Sequence, residues 1–240
     1  MNEMQHILST VRQAVDKYGM IEENDTVAVG LSGGKDSIAL LASLDRLKNF
    51  YPKKFYVVGI SVDMGFDDTG DIYAPVREFC AEHEIPYHIE KTKIKEIIFD
   101  VRKEKNPCSL CAKLRRGALV SCAKELGAGK LALGHHLDDA AETFMLTLVN
   151  ESRIGCYSPV TVYEDTAVTV IRPLIYTREA DIRSLVKKEN LPVVKSPCPE
   201  DGNTDRAEIK NVIRELEINH RGLKKRIITA MEKRGLDGWQ

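Results

Sequence analysis

Apolar positions follow two rhythms along the chain. Near its start, Ile7, Leu8, Val11 and Val15 recur at helical spacing, while Glu3, Arg12, Asp16 and Lys17 fall between them. Residues 1–18 therefore read as an amphipathic helix and not as an export signal. Further on, strand-like runs at 26–31, 55–63, 87–91 and 131–135, three of them nearly unbroken apolar, alternate with helical patterns at 37–48, 72–84 and 113–126. Strands alternating with helices predict a doubly wound α/β domain, and runs apolar on both faces predict a parallel sheet covered on both sides. A further helix is expected over 138–149, with Phe144, Met145, Leu148 and Val149 on one face. The weak alternation of 160–176 suggests a β-hairpin returning to the sheet, followed by a helix over 178–189. Pro192, Pro197, Pro199 and Gly202 punctuate a loop, and 206–235 reads as one or two helices. The chain thus divides into an N-terminal helix (1–25), an α/β domain (26–200) and a helical C-terminal extension (201–240).

Composition narrows the class. With 240 residues, 43% hydrophobic and 30% charged, the chain has the makeup of a soluble globular protein and can bury a sizeable core. No apolar run approaches the roughly 20 residues that cross a bilayer. A net charge of −1 gives no general attraction for polyanions. Charge is local instead: residues 102–116 hold six Lys or Arg against Glu104 alone, and 206–234 hold nine against four acids. Six cysteines without an export signal suggest a reducing cytoplasm, where Cys pairs serve metals or redox chemistry more often than disulfides.

Candidate chemistry begins at the end of the first strand, with Ser32-Gly33-Gly34-Lys35-Asp36-Ser37. Gly33 and Gly34 allow a tight turn that points backbone N–H groups at an anion, and the helix that follows adds its positive end. Lys35 adds a cation, and Ser32 and Ser37 add hydroxyl donors. The spacing is not that of nucleoside triphosphatases, which place four residues between their glycines. Because the ends of three expected strands carry Ser32, Asp63 and His135, these residues should meet at one crevice beyond the sheet. The hexapeptide resembles the PP-loop of enzymes that split ATP into AMP and pyrophosphate, and so implies ATP as substrate and an adenine nucleotide α-hydrolase-like fold.

Cys108-Ser109-Leu110-Cys111 follows Pro107 and precedes Lys113, Arg115 and Arg116, just before an expected helix. Two thiols at this spacing can face one metal, and a helix start with nearby cations favours thiolates. The pair alone admits structural zinc, a redox dithiol or an iron–sulfur centre. Cys198, between prolines, is a candidate third ligand. Cys80 and Cys122 share helical faces with apolar residues and read as core; Cys156 is left open.

Pro107 through Gly117, Leu133-Gly134-His135-His136 with Asp138-Asp139, and Ile171-Arg172-Pro173-Leu174 together resemble the tRNA 2-thiocytidine biosynthesis (TtcA-like) family over about 26–198. The resemblance implies that Cys108, Cys111 and Cys198 hold a [4Fe–4S] cluster with one open iron, Cys198 also counting as catalytic. It implies Asp36 and Asp139 as Mg²⁺ ligands, with Asp139 and Lys35 catalytic. ATP is expected at Ser32, Gly33, Gly34, Lys35, Asp36, Ser37, Asp63, Met64, Gly134 and His135. RNA contact is expected at Lys113, Arg115 and Arg116. The third-cysteine region departs from the family's usual second CxxC, reading Cys198-Pro199-Glu200-Asp201-Gly202. The activity implied is ATP-dependent tRNA thiolation, most simply of cytidine to 2-thiocytidine, with tRNA as substrate and a cysteine-desulfurase-derived sulfide or persulfide as sulfur donor. The expected location is the cytoplasm with no membrane partner, and a homodimer is compatible. Two alternatives stand beside it: a lysidine-forming tRNA ligase of the same superfamily with structural zinc, and a nucleotide-responsive RNA-binding protein without turnover.

Overall fold

The computed structural model describes residues 2–66, 71–102, 107–195, 198 and 205–240. Six strands form one sheet in the order β3-β2-β1-β4-β6-β5: β1 (Asp25–Gly30), β2 (Phe55–Asp63), β3 (Tyr87–Lys91), β4 (Lys130–Ala132), β5 (Val160–Tyr163) and β6 (Val168–Ile171). All neighbours pair in parallel except β5 with β6, which close the sheet as an antiparallel hairpin. The helices are α1 (Glu3–Lys17), α2 (Lys35–Leu47), α3 (Ala74–Glu82), α4 (Pro107–Glu125), α5 (Leu137–Asn150), α6 (Glu179–Lys188), α7 (Asp205–Asn219) and α8 (Leu223–Arg234), with a π-helical turn at Glu96–Val101.

Strand alternation sends side chains to both faces, and each face has its own core. On one side Val27, Val29 and Val57 pack with α1, α2, α3, α6 and α8 through Ile7, Val11, Leu40, Leu44, Phe79, Leu185 and Ile228. On the other, Ala28, Val58, Ile60 and Val62 pack with Leu119, Val120 and Cys122 of α4. The first helix has the expected apolar face and is fixed at its start by a capping box between Asn2 and Gln5. The last helix, α8, belongs to the first core: its Ile227, Ile228 and Met231 are buried in it, as is Trp239 beyond its end. The indole Nε1–H of Trp239 donates to the Tyr157 carbonyl at 2.9 Å. The expected boundary at 200 and 201, like Pro197, Pro199 and Gly202 of the expected loop, lies outside the described residues.

Two local expectations are corrected. The fourth strand does not run to His135. It ends at Ala132, because its pairing with β1 is confined to Lys130, Leu131 and Ala132 and the chain then turns through Gly134 towards α5. Nor does the CxxC precede its helix: α4 begins at Pro107, so Cys108 and Cys111 lie in its first turns. Proline suits that opening position, where its missing N–H has no helical partner to lose.

Candidate active site

The strand order reverses between β1 and β4, and the loops leaving those two strands face each other there. The first loop is closed by its own serines. The Ser32 amide donates to Ser37 Oγ at 3.2 Å, the two hydroxyls lie 3.2 Å apart, and Ser37 Oγ donates to the Gly34 carbonyl at 2.9 Å. Gly33 has φ +80, in the left-handed region that glycine enters without strain, and Gly34 is the N-cap of α2. Beneath the loop, buried Ser61 donates to the Leu31 carbonyl at 3.0 Å and accepts from the Tyr87 hydroxyl at 2.7 Å, bracing β1 against β2.

The second loop fits against the first only because residue 134 is glycine. A Cβ there would stand 3.0 Å from the Asp36 carbonyl carbon and 3.1 Å from the Ser37 amide nitrogen. At the end of this loop His136 caps α5, accepting the Asp139 amide at Nδ1 (3.2 Å), while Asp139 Oδ2 accepts the His136 amide (3.0 Å). With Nδ1 acting as acceptor, the proton of the neutral ring resides on Nε2, which lies 3.5 Å from Asp36 Oδ1. His136 thus joins the two loops, a role its position in the motif did not disclose.

Charge around the loop is closely paired. Lys35 Nζ contacts Asp36 Oδ2 at 2.9 Å and Glu179 Oε1 at 3.1 Å. Burial by itself lowers the Lys35 ammonium, but hydrogen bonds and attraction from these two carboxylates outweigh it and the group titrates above its usual range. Burial likewise opposes ionisation of Glu179, yet bonds from Lys210, Arg183 and Lys35 hold it well below the ordinary carboxylate range. Glu179 was missed in the sequence, where it resembles any acid in a first helical turn. Asp138 accepts the Glu179 amide at 2.8 Å and pairs with Lys224, and Asp139 Oδ1 pairs with Arg206 at 3.3 Å. Three cations of the C-terminal basic zone are therefore matched to acids beside the loop. Asp36 Oδ1 is held less closely: it is buried, faces His136 Nε2 at 3.5 Å and makes no hydrogen bond.

A cavity of about 570 Å³ opens over the two loops, within the usual range for ligand sites. Ser32, Gly34, Asp36, Ser37, Met64, Gly134 and His135 line it, together with Tyr73 and, from α4, Arg115 and Arg116. Lys35, Gly33, Asp63 and Asp139 are not part of the lining; Asp63 uses Oδ1 to accept the Gly65 amide at 2.9 Å. Lys113 is exposed on α4. His135 is half-buried, its ring packs 4.9 Å from that of Tyr157, and desolvation with the nearby Arg172 lowers its pKa to about 3, so it is neutral. Its Nδ1, the Tyr157 hydroxyl and Arg172 Nε are buried without hydrogen-bond partners. Such atoms at and behind a cavity wall await a partner from a bound molecule or water.

The cysteines lie close to this cavity without lining it: Ala112, next to Cys111, and Met64 are lining residues. Cys111 Sγ lies 3.6 Å from Sδ of Met64. Val194 and Lys195, shortly before Cys198, also line the cavity, and the Val194 amide donates to the Gly33 carbonyl at 2.8 Å. The third-cysteine segment is thereby tied to the phosphate loop. Burial raises the Cys111 pKa, and the nearby Cys198 and Cys108 thiols add to this, against a lowering by Arg115. The same interactions place the three thiols in one neighbourhood. Among the described residues, they do not gather within 4.8 Å of one another as ligands of a single ion would. A zinc ion with bonds of about 2.3 Å to sulfur needs such closeness, whereas a group of several irons spreads its ligands wider.

Fold and site define an α/β nucleotide-binding protein whose glycine loop and helix start are shaped for phosphates. Comparison with protein families matches residues 4–217 to the PP-loop domain. A tRNA-cytidine(32) 2-sulfurtransferase of Geotalea daltonii is 38% identical over 229 residues, covering 94% of this chain and 90% of the relative. The protein of the same name from Pelobacter propionicus is 41% identical over 211 residues, covering 86% and 77%. Among solved structures, the U34-tRNA thiolase NcsA of Methanococcus maripaludis with its [4Fe–4S] cluster superposes with a TM-score of 0.81 at 29% identity, over 96% of this chain and 79% of that one. The chain belongs to the PP-loop family, in the branch of the tRNA-cytidine(32) 2-sulfurtransferases.

Proposed function

We propose that this protein is an ATP-dependent tRNA sulfurtransferase that converts a cytidine to 2-thiocytidine in the cytoplasm, with sulfide or persulfide derived from a cysteine desulfurase as donor. The observation that carries the reading is the joining of two sites across one cavity. The phosphate loop forms one wall, Ala112, Arg115 and Arg116 of α4 form another, Cys111 lies behind it against the lining residue Met64, and the Val194 amide ties the chain just before Cys198 to Gly33.

In the first stage the C2 oxygen of the base attacks the α-phosphate of ATP and pyrophosphate leaves. The amides of Gly33 and Gly34, the hydroxyls of Ser32 and Ser37 and the start of α2 hold the phosphates, and Lys35 offsets the charge that develops on them. Asp36 Oδ1 is the atom best placed to ligate Mg²⁺, with Asp139 close behind His136 as the second acid. Gly134 and neutral His135 shape the wall across from the loop, and Met64 with Tyr73 closes the side. In the second stage sulfur displaces AMP from C2. Cys108, Cys111 and Cys198 fit a [4Fe–4S] cluster better than a single zinc, and such a cluster, when bound, supplies an open iron that carries the sulfur. Lys113, Arg115 and Arg116, exposed along α4, face the tRNA backbone at the mouth of the cavity.

Anaerobically purified protein is expected to be brown and to release pyrophosphate from ATP only when unmodified tRNA is present. Replacing Cys111 by Ser should bleach it and abolish thiolation while leaving ATP binding intact. A colourless wild-type protein with stoichiometric zinc, or pyrophosphate release indifferent to tRNA, would overturn the proposal.

A further inference from the structure

The face of the sheet beneath α4 breaks its own pattern at one edge. On β2, Val58, Ile60 and Val62 point into the apolar layer with Leu119, Val120 and Cys122. In the parallel register with β3, Ile60 stands beside His88 and Val62 beside Glu90. Paired residues of neighbouring strands share a face, so His88 and Glu90 occupy the two positions that continue this apolar face. Because β3 is the edge strand, both side chains stay open to solvent there. Both also meet the same thiol: a His88 ring nitrogen, a Glu90 carboxylate oxygen and Cys122 Sγ all lie within 4.8 Å of one another. His88 Nε2 and Glu90 Oε2 are 3.4 Å apart. Cys122 is buried at 2% exposure, whereas His88 is exposed and Glu90 partly so. The charged groups that act on Cys122 are Glu90 and Glu125, both carboxylates. None of the three donors lines the central cavity.

We propose that His88, Glu90 and Cys122 form a second metal site, for a thiophilic divalent cation of which zinc is the best fit, distinct from the cysteines of the active site. Imidazole nitrogen, carboxylate oxygen and thiolate sulfur are zinc's usual ligand types. Bonds of about 2.0–2.3 Å place tetrahedral donors about 3.3–3.8 Å apart, so only a small contraction of this group is needed. The two solvent-open side chains can make it. Three protein donors leave the fourth position, on the open side of β3, to water. The ion would pin the edge strand to α4, the helix whose first turns carry Cys108 and Cys111, and so steady the wall of the active site from behind.

The test uses full-length protein with Cys108, Cys111 and Cys198 replaced by Ser, which removes the other thiol set. This variant should still bind about one Co²⁺ or Zn²⁺ per chain, with the sulfur-to-cobalt charge-transfer absorption of a thiolate ligand. His88→Ala and Glu90→Gln, at solvent-open positions, should each weaken zinc binding by about tenfold or more. Absence of the thiolate–cobalt band, or zinc affinity unchanged by both substitutions, overturns the proposal. If the serine variant does not fold, the same two substitutions are compared in the otherwise unaltered chain by the zinc-dependent rise in Tm; an equal rise in all three proteins overturns it as well. Thiolation activity does not enter this readout, so the two proposals fail separately.

Discussion

At position 134 a single methyl group decides how two loops meet. Alanine there would press on the Asp36 carbonyl and the Ser37 amide at 3.0–3.2 Å, and backbone cannot rotate aside as a side chain can. Gly134→Ala is expected to cost about 1–3 kcal/mol of stability and to weaken ATP binding clearly, as read by calorimetry; unchanged affinity would show that the loop does not bind nucleotide in this form. His135 supplies a pH prediction. Burial, with the nearby Arg172, lowers its folded pKa to about 3, against about 6.5 when unfolded. Stability from its neutral form is present above about pH 6.5 and is lost as pH falls towards 3, at up to about 1.4 kcal/mol per unit. Denaturant midpoints should fall between about pH 6.5 and 5, where ordinary carboxylates stay ionised, and His135→Asn should flatten that slope. The glycines, serines and Lys35 of the phosphate loop were legible because small residues between a strand and a helix announce their geometry locally. The pairing of Lys35 with Glu179 and the bridge from His136 to Asp36 were not, because they join segments that only the fold brings together. Asp63 could be read as turn-former or ligand from sequence; in the structure its Oδ1 serves the turn at Gly65.

Elements were easier to name than to bound. Apolar periodicity located the parallel strands, the returning hairpin and the helices, since each must bury a stripe or a face. It misjudged the end of β4, because Leu133 is apolar like a strand residue yet already belongs to the turn. It also placed the start of α4 too late, because in the first turns only Leu110 and Cys111 pack against the core and the fully buried positions begin at Leu119. The C-terminal helices illustrate a further limit. Their positive charge reads as a free basic surface, whereas Arg206, Lys210 and Lys224 are spent on Asp139, Glu179 and Asp138. The apolar attachment of α8 runs through Ile227, Ile228 and Met231, with fully buried Trp239 after it, and α7 buries Ile209 and Ile213. Trp239→Ala is expected to cost about 3–5 kcal/mol, measurable as a lowered urea midpoint; a loss under about 1 kcal/mol would mean that the end of the chain is not part of the core.

In the whole molecule, one sheet carries both halves of the proposed two-stage reaction. The reversal of strand order sets the phosphate loop opposite the turn after β4, and α4 crosses the neighbouring face so that its first turns reach the same opening. No described helix is long and apolar enough to cross a membrane. With a net charge of −1, attraction for a polyanion has to come from placement, and Lys113, Arg115 and Arg116 stand exposed on the helix that carries the cysteines. The most direct test of the central claim is mass spectrometry of tRNA nucleosides from cells lacking this protein, complemented with the wild type or with Cys198→Ser. The account predicts that 2-thiocytidine disappears on deletion, returns with the wild type and stays absent with Cys198→Ser. An unchanged 2-thiocytidine content in the deletion strain would contradict it.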